Sequence, residues 1–174
     1  MAPIQMAHYV EERPAVNIIS LLVKDTRSIM TIDIRNKTAN LIRNANYPNN
    51  TNFPHNFCCT QNPYNGNIFL VGGGDYSHDH ESLYQLWEVR GSQFMKRDVM
   101  KHPRHGHSVT WFGDKFIVVS GSRKEKNNSH MKCEMYNSDI DLWFEMPDLN
   151  VGRHYHASCS MRDRWVYVFC GIAN

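Results

Sequence analysis

The sequence predicts an all-β protein, an incomplete β-propeller built from four-stranded antiparallel blades. One observation is a hydrophobic strand ending in glycine that recurs three times, as Phe69-Leu70-Val71-Gly72-Gly73-Gly74, Phe116-Ile117-Val118-Val119-Ser120-Gly121 and Val166-Tyr167-Val168-Phe169-Cys170-Gly171. The steps from Gly73 to Gly121 and from Gly121 to Gly171 are 48 and 50 residues, and a period near 50 matches one blade packed around a central channel. The other is a set of strand-sized apolar segments divided by Asn, Asp, Gly and Pro turns, with no long amphipathic helix among them.

Each element follows from this scheme. Residues 1–16 form an N-terminal extension, and 17–46 a partial blade in which Ile18–Val23, Ile29–Ile34 and Ala39–Ile42 are the last three strands. A full blade spans 53–99, with strands at Asn56–Thr60, Ile68–Gly74, Leu83–Arg90 and Gln93–Arg97. Its Trp87 falls in the third strand, so its aromatic contact is displaced. The blade at 102–148 is clearest: His107–Phe112, a Gly113-Asp114-Lys115 turn, Lys115–Gly121, a polar loop, Met131–Asn137 and Leu142–Met146. Tyr136 and Trp143 lie seven apart across a turn, which sets them opposite each other on neighbouring strands. A second partial blade, 152–174, holds His156–Met161 and Trp165–Gly171.

Composition narrows the function classes. The 174 residues are 41% hydrophobic with 11% aromatic, enough to bury a core. A net charge of +2 without a dense Lys/Arg run argues against a nucleic-acid partner. With no bilayer-length apolar stretch and a polar N-terminus, the expectation is a soluble cytoplasmic protein with no membrane partner. Cys58, Cys59, Cys133, Cys159 and Cys170 lack zinc or redox spacing and read as buried free thiols.

Taken together, these residues resemble the kelch-repeat family. The resemblance rests on the repeat markers Gly72, Gly73, Gly121 and Gly171, on Trp87, on the Tyr136–Trp143 pair, on Met146-Pro147-x-Leu149, and on Arg153 followed by His154-Tyr155-His156. It implies a protein-interaction module, acting as ubiquitin ligase adaptor or scaffold. In that family the arginines equivalent to Arg104 and Arg153 contact acidic peptides.

Strand order places the loops after second and fourth strands on one face, where this chain has its longer polar loops, Asp75–Ser82, Ser122–His130, Asp98–Arg104 and Pro147–Arg153. The expected partner-binding residues there are Arg104, Arg153, His105, His154, Tyr155, Asp75, His78 and Arg123. A guanidinium can hold a carboxylate or peptide carbonyls in bidentate fashion; equally, Arg104 and Arg153 can rivet one blade to the next. His105-x-His107 and His154-x-His156 recur in phase, which repetition explains without a metal. No nucleophile elbow, phosphate loop or sialidase box is present. The expectation is therefore a non-enzymatic module that needs no cofactor and no metal, has no catalytic residues, and binds a protein or acidic peptide. Two full blades cannot close a ring, so further blades from a longer chain or self-association are expected. The alternative is a propeller enzyme acting on carbohydrate, of oxidase, sialidase or epimerase type.

Overall fold

A computed structural model describes residues 17–23, 26–74, 82–123 and 129–173. Strands β1 (Ile18–Val23), β2 (Ser28–Asp33) and β3 (Thr38–Ile42) form an antiparallel sheet in that order. After a 3-10 turn at Pro48–Asn50 come β4 (Cys58–Gln61), β5 (Ile68–Val71), β6 (Leu86–Arg90) and β7 (Gln93–Lys96), a four-stranded antiparallel meander. A second meander contains β8 (Ser108–Phe112), β9 (Phe116–Ser120), β10 (Cys133–Asn137) and β11 (Leu142–Met146). The last sheets pair β12 (Arg153–His154) with β15 (Ile172–Ala173), and β13 (Ala157–Met161) with β14 (Trp165–Phe169). No α-helix occurs among the described residues. The architecture is the incomplete propeller-like all-β fold expected.

The sheets stack face to face in chain order, with β8 lying against both β4 and β13. Because alternate side chains of a strand point to opposite faces, β5 serves two cores at once. Ile68 and Leu70 pack with Leu22, Ile29, Tyr47, Phe53 and Val89 toward the first sheet. Phe69 and Val71 pack with Ile117, Val119, Tyr136 and Trp143 toward the third. Both faces are dry, which is why this strand reads as a continuous apolar run, and each such side chain contributes about 1.5–3 kcal/mol.

Homologous hydrogen bonds give the blade register. Phe53 N–H donates to Thr26 O as Arg104 N–H donates to Leu83 O, each acceptor lying three residues before an equivalent core residue, Ile29 or Leu86. This makes β2 a third strand and β1 a second strand. Tyr136 faces Trp143 in register with ring centroids 5.2 Å apart. In the preceding blade the residue opposite Val89 is Phe94, so Phe94, not Trp87, occupies the place of Trp143. Trp87 stands where Glu134 stands one blade later, and packs instead beside Tyr47 at 5.9 Å.

The glycine marker also needs correcting by one residue. Gly73 N–H donates to Arg104 O at 2.8 Å, and Ser122 N–H to Arg153 O at 3.1 Å. Gly73 is thus equivalent to Ser122, and the true recurring position is Gly72, Gly121 and Cys170, spaced 49 residues each time, with φ of 55°, 62° and 63°. A Cβ on Gly72 would sit 2.5 Å from Arg104 O, and one on Gly121 2.3 Å from Arg153 O. Only glycine permits the next blade's backbone to come so close. Cys170 retains the left-handed backbone but is exposed.

Substitution separates close approach from backbone conformation. Gly113 has φ of 59°, and a Cβ there would meet only a Phe116 ring carbon at 4.0 Å. Urea unfolding should show Gly113→Ala losing about 1–2 kcal/mol, the left-handed penalty alone. Gly121→Ala should lose at least about 2 kcal/mol more, because the Arg153 carbonyl must also move. Equal losses would mean that the contact is soft.

Candidate functional site

The ends of the loops after second strands meet the links between blades on one face, as Arg123 N–H donating to His105 O and Arg104 N–H donating to Leu83 O show. Three left-handed residues recur there, Asn56, Gly106 and Tyr155, with φ of 49°, 61° and 52°. A histidine precedes each. Nδ1 of His55 lies 2.8 Å from Gly74 O, Nδ1 of His105 is 2.6 Å from Ser82 Oγ, and Nδ1 of His154 is 2.9 Å from Ser129 Oγ. His105 and His154 tie their links to the loop of the preceding blade, and His55 ties its link to the end of the second strand that follows it. His55 belongs to the row but escaped the sequence reading, because Pro54 stands before it where Arg104 and Arg153 precede the other two.

Arg104 is fully buried, which removes it from the expected partner-binding set and fits the alternative, a rivet between blades. Its Nη1 donates to Gly121 O at 2.6 Å and Lys132 O at 2.7 Å, while Nε and Nη2 donate to Glu134 Oε2 at 3.2 and 2.8 Å. Glu134 Oε1 accepts the Lys101 N–H at 2.7 Å, so both ions are satisfied from several sides. Arg153 makes the equivalent bond to Cys170 O at 2.9 Å but is only half-buried. His154 is also buried, beneath the exposed Tyr155 ring at 4.9 Å, and is likewise removed from the contact surface. Tyr155 covers Gly106, and Asn56 Nδ2 donates to its hydroxyl at 3.3 Å. Arg123 is exposed and His105 half-buried. Asp75 and His78 lie outside the described residues.

His107 and His156 occupy equivalent inner positions. Burial, reinforced by the Arg104 charge, pushes His107 down to about 3. Burial and Arg153 push His156 down to about 4, and its Nε2 lies 2.8 Å from Ser108 Oγ and 3.0 Å from Ser120 Oγ. Both rings are neutral structural pieces. No three His, Cys, Asp or Glu side chains converge on a possible metal position among the described residues. Burial raises the Cys58 thiol to about 12, where it donates to His107 O, whereas Cys159 and Cys170 are exposed, contrary to the expectation of buried thiols.

On the tight-turn face, an open cleft of about 630 Å³ lies between the first two sheets, lined by Asn17, Asp33, Arg35, Asn36, Gln61 and Tyr64 among others. The Asn36 N–H donates to Asp33 Oδ1 at 2.9 Å, and these contacts hold the Asp33 carboxyl below its usual range. Tyr64 donates to Asp114 at 2.8 Å. Carboxylate, amide, guanidinium and an aromatic ring together suit a ligand bearing many hydroxyls. Sequence spacing did not bring these residues together; three separate turns do.

No known protein-family profile matches the chain. It is similar to two curated proteins named galactose oxidase, one from Gibberella zeae strain PH-1 and one from Gibberella zeae, each 33% identical over 73 residues, or 42% of this chain. The matched stretch is a tenth of the length of those relatives. The expectation of a non-enzyme is corrected by this finding, since both of these relatives are named as an enzyme. Among the described residues, no helix is long and apolar enough to cross a membrane.

Two measurements probe the site's framework. Arg104→Ala should cost about 3–5 kcal/mol, because it strands the buried Glu134 carboxylate, and adding Glu134→Leu to Arg104→Met should recover most of that loss; additive losses would show no coupling. Stability should also fall with acid. The folded pKa values of His107 and His156 lie below the unfolded value near 6.5, so the unfolded chain binds more protons and stability drops as pH falls from about 6.5, by up to about 1.4 kcal/mol per unit per histidine. Urea midpoints between pH 7 and 5, above the range of the carboxylates, report this, and His107→Gln should flatten the slope.

Proposed function

We propose that this chain is the blade framework of a kelch-type propeller enzyme that acts on carbohydrate, of the oxidase kind. The observation that carries the reading is the similarity to two galactose oxidases in a chain whose sheets repeat every 49 residues. The cleft supports it. The Asp33 carboxylate can accept and the Arg35 guanidinium can donate hydrogen bonds, a combination suited to sugar hydroxyls. Oxidising an alcohol to an aldehyde removes two electrons and two protons, which dioxygen takes up as hydrogen peroxide. No three His, Cys, Asp or Glu side chains converge among the described residues, and the part this reading gives them is to frame the enzyme and bind the sugar.

A second reading, a protein-binding surface, is favoured by the loop face, where Tyr155 and Arg123 are exposed and Arg153 is half-buried. Such side chains anchor acidic peptides.

Calorimetry with galactose and peroxide release in the presence of galactose and air test the first reading. Binding near the millimolar range is expected, weakened about tenfold by Arg35→Ala, a loss of about 1.4 kcal/mol. If galactose neither binds nor yields peroxide, while an acidic peptide binds and is lost on Arg153→Ala, the second reading replaces the first.

A further inference from the structure

The cleft between the first two sheets is left with more donors than acceptors once its internal bonds are assigned. Asp33 is the carboxylate of its lining, and it is committed to its own turn. Its Oδ1 accepts the Asn36 N–H at 2.9 Å, its Oδ2 accepts the Asn36 side-chain amide at 2.8 Å, and the Arg35 N–H adds a third bond. A carboxylate has about four acceptor sites, so little of Asp33 remains for a ligand. Both amide hydrogens of Gln61 are taken, by Ile18 O at 2.9 Å and Gly66 O at 3.1 Å. The Tyr64 hydroxyl donates to Asp114 at 2.8 Å and the Asn67 amide to Glu88 Oε1 at 2.6 Å. Glu88 is also bound by Arg90 and Arg97.

What stays open is the Arg35 guanidinium, which is exposed and has no hydrogen bond or ion pair among the described residues. Beside it in the lining stand one remaining amide hydrogen of Asn36 and the NH2 group of Asn65, whose carbonyl oxygen accepts the Asn67 N–H at 2.9 Å. Asn17 adds a side-chain amide that both donates and accepts.

We propose that this cleft takes an acidic sugar, a hexuronate, whose carboxylate lies on Arg35 while its hydroxyls meet Asn17, Asn36 and Asn65. The proposal rests on the carbohydrate reading of the cleft and narrows it from neutral sugars to those that carry a carboxylate. The planar fork of arginine matches a carboxylate in bidentate fashion, whereas a hydroxyl uses one N–H at a time and leaves the charge uncompensated. The amides favour a sugar over an acidic peptide, because a ring bearing several hydroxyls uses all three. A volume of about 630 Å³ is that of a small-molecule site.

Calorimetry on the 174-residue chain with galacturonate, galactose and acetate tests the proposal. Galacturonate should bind about tenfold more tightly than galactose at low salt, and the gap should narrow as ionic strength rises. Arg35→Ala should weaken galacturonate about a hundredfold against about tenfold for galactose, which removes the preference, and Arg35→Lys should keep part of it. Acetate at equal concentration should not displace galacturonate. Because Arg35 is exposed, the urea midpoints of both variants should match that of the wild type. Equal binding of the two sugars, or a preference that Arg35→Ala leaves intact, would overturn the proposal and leave the carbohydrate reading in place. Binding of neither sugar would remove both. Displacement by acetate would show an unselective anion site, and tighter binding of tetra-aspartate a peptide site; either result rejects the acidic sugar.

Discussion

The spacing of the blades depends on one backbone contact, the approach of a linking carbonyl to the glycine that ends a second strand. Arg104 O lies 2.5 Å from where a Cβ of Gly72 would be, and Arg153 O 2.3 Å from where a Cβ of Gly121 would be, both too close for one. That proximity lets Gly73 and Ser122 donate to those carbonyls. The bond draws the link between blades down onto the strand end, and the side chains of the link follow. His105 and His154 then reach Ser82 and Ser129, and Arg104 reaches Gly121 and Glu134. With the link held, neighbouring sheets approach closely enough for Phe69 and Val71 to bury against Ile117 and Val119. The apolar cores supply most of the stabilisation, but the glycine contact decides where they form.

The two complete junctions solve the same steric problem with different chemistry. Between the second and third sheets, Arg104 pairs with Glu134 in full burial. Between the first and second, Phe53 donates the equivalent backbone bond and Trp87 holds the position of Glu134, within an aromatic cluster with Tyr47 and Phe94. The desolvation cost of a buried ion pair commonly cancels its attraction, so a well-packed apolar pair serves as well in stability. What the ion pair adds is direction: its four hydrogen bonds to Gly121 O, Lys132 O and Glu134 admit one geometry. Arginine and acid appear together or not at all at these two junctions, as the penalty for an unpaired buried charge requires.

How far the sequence could be read follows from the range of each interaction. Strands β8 to β11 and the Tyr136–Trp143 pair were legible because they depend on alternation and a short turn. The marker was misplaced by one residue, since Gly72-Gly73-Gly74 offers three glycines and only the 2.5 Å approach of Arg104 O distinguishes the first. Trp87 was legible as a third-strand residue with a displaced contact, and β6 holds it there; that Phe94 takes the place of Trp143, opposite Val89, was not legible. Burial of Arg104 rests on Glu134, thirty residues away, which no local pattern reveals. The cleft at Asp33, Arg35 and Tyr64 joins turns of two sheets and has no linear signature at all.

Repetition by itself makes equivalent positions equivalent in chemistry, so a site with direction must sit where the repeats differ. On the loop face each of the three links carries a histidine that acts as a tie, His105 and His154 to serines and His55 to the Gly74 carbonyl. The residue after each differs: Asn56, Gly106 and Tyr155. All three are left-handed, a conformation that glycine adopts freely, asparagine tolerates, and tyrosine adopts at a cost of about 1–3 kcal/mol. Tyr155 is exposed, lies over Gly106, which a larger residue would obstruct, and meets Asn56 through its hydroxyl. Three unlike residues at one repeated position thus form a single contact across three blades. Strain held at an exposed aromatic ring is retained where the ring's placement matters more than the local conformational preference, and Tyr155 marks the point at which this face ceases to be a mere repeat.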